Sequence, residues 1–588
     1  MDRSVPQAVP LGRSRKPRVP PSSAARRWLD PRLATSVLVG VILAALMLPP
    51  LVMLVQGSLA ATNDAGQATG WTLRHFTDLV TAHRAGQTLW NSIVFSAGST
   101  LLSLLVGGVL AWLVERTNAP LRVLAWLATI ISLGTPYILH VVAWLFLLGP
   151  VGPFNDLYRA LGGSGNLIHV QSMAGMVLIE GFLWSPLVFL LLGSTFRAAN
   201  ADMEEAARTS GASVLQTVWR ISIRLAMPAI LALALFVFIR AIGAFEVPAL
   251  VGIPSRIYVL TTAVYDSMTT MPPDLGYASA FAVVMVVIVS VLLHFYSRLS
   301  SSAEKYHSVT GKGYRPRPFD LGAWRWAAGA LIVLNFVVVL VLPLVALLWM
   351  SLQAFPRGFS LAGLRALSLD NYRAVVTAPN YFDLAINSLG VAAGAASVIM
   401  LLAAFAGWIA ARRGPGGRTL DQLAMLSLVF PGIVLGVAVM EVYLRVPLPI
   451  YGTLWIIGIA YVIRFMPFGM RYVYAGVLQL HNELEEAAGV SGAGYLTILR
   501  RIVAPLLTPA MVAGWLFIFL IANKELAIAV LLASPGAQVA AVAVFDLWVN
   551  GQGGELAAFG LLWTVLMTAV AFLFFAQSRR GGTDIYGN

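Results

Sequence analysis

Cysteine is absent from this chain of 588 residues. Without a thiol there is no disulfide framework, no thiolate metal site and no redox chemistry at sulfur. Charge is almost as scarce: Asp, Glu, Lys and Arg make up 11% of the residues, against about 25% in an ordinary soluble domain. A surface that poor in charge excludes a water-soluble globule. The seven histidines are scattered, with no pair at ligand spacing on one predicted helix, so neither a resident metal nor a cofactor is expected. Short segments of alternating polarity are missing too, which argues against an outer-membrane barrel. The stretch "SVTGKGY" fails as a phosphate loop, because Tyr306 stands where the first glycine is needed and Gly313 where Ser or Thr is needed. No nucleophile–base arrangement is visible, and the chain is not expected to be an enzyme.

What is abundant is apolar. Hydrophobic residues reach 59%, and the mean hydropathy is +0.80. Many runs attain the roughly 20 residues that a membrane-spanning helix needs. The reading is an all-α polytopic membrane protein of twelve spans, near 36–59, 88–114, 121–148, 173–197, 229–250, 276–298, 326–352, 386–411, 421–444, 450–478, 509–533 and 555–577. The lipid bilayer is therefore its first partner. The net charge of +13 does not point to nucleic acid, because most Lys and Arg fall between apolar runs on one side. By the positive-inside rule that side is the cytoplasm, and both termini lie there. Residues 1–35 read as a disordered basic tail, 36–298 as a first repeat, 299–325 as a polar linker, 326–578 as a second repeat and 579–588 as a short tail.

The repeat is explicit. Glu204–Ile230 aligns with Glu485–Met511 without a gap and with 13 identities in 27 positions, where unrelated segments of this composition share roughly two or three. Asn91-Ser92 keeps step with Asn387-Ser388, Trp112 with Trp408, Arg116 with Arg412, Pro136 with Pro431 and Pro186 with Pro467. The offset shortens between the third and fourth spans, where Gly149–Gln171 is the longer loop. Six spans per repeat leave both halves in the same orientation, related by an axis along the membrane normal, with a pathway between them.

Both copies of the polar stretch, "EEAARTSGASVLQTVWRISIR" and "EEAAGVSGAGYLTILRRIVAP", fall between the fourth and fifth spans, on the cytoplasmic side. Glu204-Glu205 and Glu485-Glu486 suit the positive end of a short helix. Ala206-Ala207 and Ala487-Ala488 continue it with little side chain, so another surface can approach. Gly211 and Gly492 end or bend it. The result is a helical elbow presented twice on one face, built to be gripped by a soluble partner with two equivalent grooves. A loop lying on lipid headgroups fits less well, because paired carboxylates suit an anionic leaflet poorly.

Ionisable residues inside apolar runs are costly and default to functional candidates. Arg240, Glu246, Arg464, Lys524 and Glu525 are of this kind: they line a pathway or gate, or they pair as structural ions. Glu180 and Glu441 are candidates for an interface. The paired prolines read as kinks or as gate hinges, and Asn91 and Asn387 as helix caps.

The elbows carry a resemblance. Glu-Ala-Ala, three residues, Gly, nine residues, Ile-x-Leu-Pro is the signature of permease subunits of binding-protein-dependent ABC importers. The second copy reads Glu486-Ala487-Ala488, Gly492, Ile502-x-Ala504-Pro505; the first reads Glu205-Ala206-Ala207, Gly211, Ile221-x-Ile223-Arg224 and lacks the signature proline. The chain resembles fused two-repeat permeases, most of all those of ferric-iron importers, through Ala244–Met268 and Tyr451–Val473. Relatives of similar sequence carry polyamines, phosphonates, thiamine or sulfate. The resemblance implies the type I permease fold and residence in a bacterial inner membrane. It implies two copies of a separate ATPase subunit seated on the elbows, and a periplasmic or external solute-binding protein that delivers the substrate. An ion-coupled carrier is the competing reading, and twin docking elbows argue against it.

Overall fold

The computed structural model describes residues 31–62, 68–81, 83–198, 202–305, 318–355 and 357–580. The termini and the middle of the linker lie outside the described residues, including the disordered tail expected over most of 1–35.

The first repeat contributes helices α1 (Pro31–Leu59), α2 (His83–Arg116), α3 (Arg122–Gly134), α4 (Tyr137–Leu148) and α5 (Met173–Ala198). The elbow helix α6 (Asp202–Thr209) and helices α7 (Ile223–Ile242) and α8 (Leu275–Lys305) complete it. The second repeat contributes α9 (Trp324–Ser351), α10 (Pro379–Ala411), α11 (Gly417–Met425), α12 (Gly432–Arg445) and α13 (Leu454–Leu478). The second elbow helix α14 (Glu483–Val490), α15 (Ala504–Ala522) and α16 (Gly553–Arg580) follow. Among the described residues, eleven helices are long and apolar enough to cross a membrane, and twelve spans result when the bent pair α11–α12 counts as one. A two-stranded antiparallel ribbon, Ala60–Thr62 with Ala68–Trp71, is the sheet among the described residues.

Four spans depart from the sequence reading. The third span of each repeat is broken rather than continuous. Pro136 and Pro431 each take an extended conformation immediately before a new helix, and α11 and α12 meet at 108°. The mechanism is local: proline lacks the amide hydrogen that a continuing helix needs and disfavours helix in the residue before it. These prolines are breaks, beyond simple kinks. The fifth spans, expected at 229–250 and 509–533, stop early, at Ile242 and Ala522. Gly243 follows the first stop, and Lys524-Glu525 follows the second. The chain then turns back into short helices, Leu260–Thr269 and Ala540–Val549.

Asn91 and Asn387 are not helix caps. Both lie inside long helices and donate across the bundle, to the carbonyls of Tyr258 (3.0 Å) and Gln538 (3.3 Å). The neighbouring Ser92 and Ser388 accept from the amides of Leu260 and Ala540. Each Asn-Ser pair thus holds the start of the short helix that follows the broken fifth span, where backbone polar groups in lipid must find partners.

The first helix of each repeat bridges the two halves. Helix α1 packs on α8 of its own repeat and on α12, α11 and α10 of the second, and α9 packs on α16 of its own repeat and on α3, α4 and α2 of the first. Glu441 seals one such contact. It accepts from Ser279 of α8 and pairs with Arg445 at 3.3 Å, while Gly57 of α1 lies against its carboxylate. Within each repeat the second and fourth spans approach through small residues, as helices do when lipid gives them no hydrophobic reason to associate. A Cβ on Gly107 of α2 would sit 2.4 Å from the Ser185 carbonyl of α5.

Candidate functional site: two elbows and a charged cavity

The elbows are built alike. Helix α6 begins at Asp202 and α14 at Glu483, about two residues ahead of the carboxylate pairs. Gly211 (φ +85°) and Gly492 (φ +83°) end them in the left-handed region, which costs a side-chain-bearing residue about 1–2 kcal/mol. In each, the amide after the glycine reaches back to the second alanine of the motif: Ala212 to the Ala207 carbonyl at 3.0 Å, Ala493 to the Ala488 carbonyl at 2.9 Å. That bond closes the last turn and satisfies the second alanine's carbonyl. The chain then re-enters helix and passes through a π turn, Val218–Ser222 or Leu499–Val503, straight into the fifth span. The second arm of each elbow is therefore continuous with a membrane helix.

The two acids of each pair have different surroundings. Glu204 is buried and ion-paired with Arg116 at the end of α2, and it accepts from Ser222 at 2.6 Å. Glu485 pairs with Arg412 at the end of α10 at 2.9 Å and accepts from Trp408 Nε1 at 3.2 Å. Arg412 also donates to the Leu480 carbonyl at 3.0 Å. Tyr495, from the second arm, stacks on Trp408 at 4.5 Å between centroids. In the first half the equivalent Trp112 meets Phe319 from the linker instead, at 6.1 Å. The first acid of each pair thus latches the elbow to the second span. Glu486 is exposed and Glu205 partly so; Ala206 and Ala487 are exposed, Ala207 and Ala488 half-buried. A groove of about 560 Å³ runs beside the second elbow, lined by Arg32, Glu486, Gly489 and Tyr495 among others.

The intramembrane charges converge. Arg240, Glu246, Arg464 and Glu525 line one cavity of about 160 Å³ together with Glu180, Tyr137 and Phe430. It lies where the broken third and fifth spans of both halves meet. Trp184 Nε1 donates to Glu180 at 2.8 Å, and the Arg240 guanidinium sits over the Trp184 ring at 5.1 Å. Arg464 donates to the Phe430 carbonyl. Glu525 accepts from the Ile528 amide at 3.3 Å, and Gly432 allows its carboxylate to come close. Among the described residues, none of these five charged side chains forms an ion pair within 4.0 Å. Lys524 lies apart from the cavity wall, buried against the Tyr137 ring (5.3 Å) and the Ser132 carbonyl (3.5 Å). Among the described residues, no group of three His, Cys, Asp or Glu is placed to hold a metal ion.

The family model described as "Binding-protein-dependent transport system inner membrane component" matches this chain twice, over residues 103–304 and 399–580. The chain belongs to that family. It is a fused two-repeat ABC importer permease, multi-pass in the membrane. Among curated proteins it is 26% identical to the ferric transport system permease protein FbpB of Actinobacillus pleuropneumoniae, over 82% of this chain and 70% of that one. A putative ferric transport system permease protein FbpB 1 of Haemophilus influenzae is 26% identical over 73% of this chain and 67% of its own length. A crystal structure of a bacterial ABC transporter involved in import of the acidic polysaccharide alginate aligns with 17% identity. It covers 49% of this chain and 98% of that one, with a TM-score of 0.36.

Both family matches contain an elbow. The residues of the permease that the sequence reading passed over are the latching arginines. Arg116 and Arg412 stood out as a repeated pair, but nothing in their spacing linked them to acids 88 and 73 residues away. The signal was available in the duplication itself, since a basic residue and an acid both recur at the inner edge of each half.

Proposed function

We propose that this permease forms the transmembrane passage of an ATP-driven importer in which two copies of a separate ATPase subunit seat on the elbows at residues 204–211 and 485–492. A periplasmic or external binding protein delivers the substrate to the opposite face, and both termini are cytoplasmic. The observation that carries this reading is the paired latch. Glu204 and Glu485 are each tied to a second-span arginine, while Ala206, Glu486 and Ala487 are exposed and Glu205 is partly so. A force applied to either elbow passes through its latch to the second span and through the continuous second arm to the fifth. Coupling requires only that the ATPase state differ in free energy against the two permease states.

Ferric iron is the proposed substrate, supported by the two ferric permease relatives. The route runs between the repeats through the cavity of Arg240, Glu246, Arg464 and Glu525, with 36–298 and 326–578 as the moving halves. The test is uptake of labelled ferric iron into vesicles holding permease, ATPase and binding protein, with ATP depleted while the proton gradient is held. Loss of uptake supports the proposal, and unchanged uptake sinks it in favour of an ion-coupled carrier.

A further inference from the structure

The cavity between the halves breaks the symmetry of the fold that contains it. At the offset that superposes Pro186 on Pro467, Glu180 corresponds to Tyr461, Arg464 to Leu183 and Arg240 to Ile521. A duplicated bundle left to its own symmetry would line its axis with matching residues. Glu246 and Glu525 sit at comparable places just after the fifth spans, but Glu180 and Arg240 of one half and Arg464 of the other have no charged counterpart. Charged side chains at membrane depth are expensive and ordinarily pair with one another. These are held instead by neutral groups: Glu180 by the Trp184 indole, Arg240 by the same ring's face, Arg464 by the Phe430 carbonyl, Glu525 by the Ile528 amide. Such holding orients each charge, while the guanidiniums and carboxylates face one another across the cavity beyond ion-pair distance, with room between them for a solute to bridge the two signs.

We infer that this cavity is a transient substrate site for a compact solute carrying both signs, a cationic centre joined to oxyanion oxygens. The inference rests on the importer reading above and narrows its substrate. Two guanidiniums, with forked donors matched to oxyanions, would take the anionic side, and the carboxylates would take the cationic side. A bare polycation such as a polyamine would face two arginines, and a simple oxyanion such as sulfate would face three glutamates. Neither suits a lining of mixed sign. A ferric ion still bound by anionic oxygen ligands fits, and so does an aminophosphonate zwitterion. The absence of a three-ligand metal cluster among the described residues agrees with a cation that keeps its own oxygen ligands while crossing.

The experiment is equilibrium binding to the full chain in lipid nanodiscs, with four labelled probes: ferric nitrilotriacetate, 2-aminoethylphosphonate, spermidine and sulfate. The expected result is saturable binding of one of the first two, weakened at least tenfold by Arg464→Gln and by Glu246→Gln, with Arg464→Lys losing less than Arg464→Gln. Unchanged thermal unfolding in these variants separates recognition from structure. Tighter binding of spermidine or sulfate overturns the inference, as does binding of none of the four or indifference to both substitutions. Of the two supporting probes, the ferric complex marks an iron route and the phosphonate a zwitterion route. ATP-driven uptake by the wild-type complex with no effect of Arg464→Gln sinks this inference alone, whereas absence of ATP-driven uptake sinks the importer reading.

Discussion

Arg116 and Glu204 form an ion pair in which both side chains are almost wholly shielded, at 3% and 5% exposure, although they are 88 residues apart. The second-repeat pair, Arg412 and Glu485, holds the same place at 18% and 17% exposure. The two latches share a geometry and differ in solvation, and solvation governs what each is worth.

Removing one partner of a shielded pair strands a charge, at a cost of about 3–5 kcal/mol. Arg116→Met is therefore expected to lower the unfolding temperature of the permease markedly. Arg412→Met, at a wetter pair, is expected to cost less, because the stranded Glu485 keeps partial access to water and its Trp408 donor. Thermal unfolding of the purified variants in one detergent decides the matter, and equal losses would contradict the ordering.

Gly492 tests the elbow's turn. A Cβ there meets nothing within 4 Å, so any penalty of Gly492→Ala is the backbone's, about 1–2 kcal/mol for the left-handed conformation. Gly494 is two residues on, equally open to solvent, but has φ −69°. Capture of the ATPase by Gly492→Ala is expected to fall several-fold while Gly494→Ala retains it. Equal capture by both would remove the turn from the docking argument.

Close helix approach predicts a contrast between adjacent glycines. Gly107 faces the Ser185 carbonyl, whereas Gly108 meets only the tip of Leu192 at 3.3 Å. Gly107→Ala must move backbone against backbone and is expected to cost about 1–3 kcal/mol, as overpacking does. Gly108→Ala can be absorbed by a side-chain shift. Unfolding midpoints of the two variants check this, and a reversed order would refute the packing account.

The lack of cysteine makes sidedness directly measurable. Ser210→Cys and Ser491→Cys place single thiols on the exposed elbows, and Ser164→Cys places one in the exposed loop between the third and fourth spans. An impermeant maleimide added to intact cells should label position 164 and leave 210 and 491 unmodified until the membrane is opened. Labelling of either elbow from outside would reverse the proposed orientation.

By itself, the sequence determined that this is a duplicated helical membrane protein with an elbow in each half. That information is local. Apolar run length sets the spans, 13 matches in 27 positions set the repeat, and Gly211 and Gly492 set the turns. Even the breaks at Pro136 and Pro431 were written locally, in a residue that removes an amide, though the 108° bend was not. What only the tertiary structure decided is pairing across distance. Nothing near Arg116 names Glu204, and nothing near Arg464 shows that it shares a cavity with Glu180, Arg240 and Glu246. Asn91 and Asn387 read as caps because a side-chain amide beside an apolar run suits a cap; the fold gave them backbone carbonyls more than 150 residues away. The reason is physical. Hydropathy and backbone preference act within a few residues along the chain, but in lipid a polar group takes whatever partner the packed bundle brings to it.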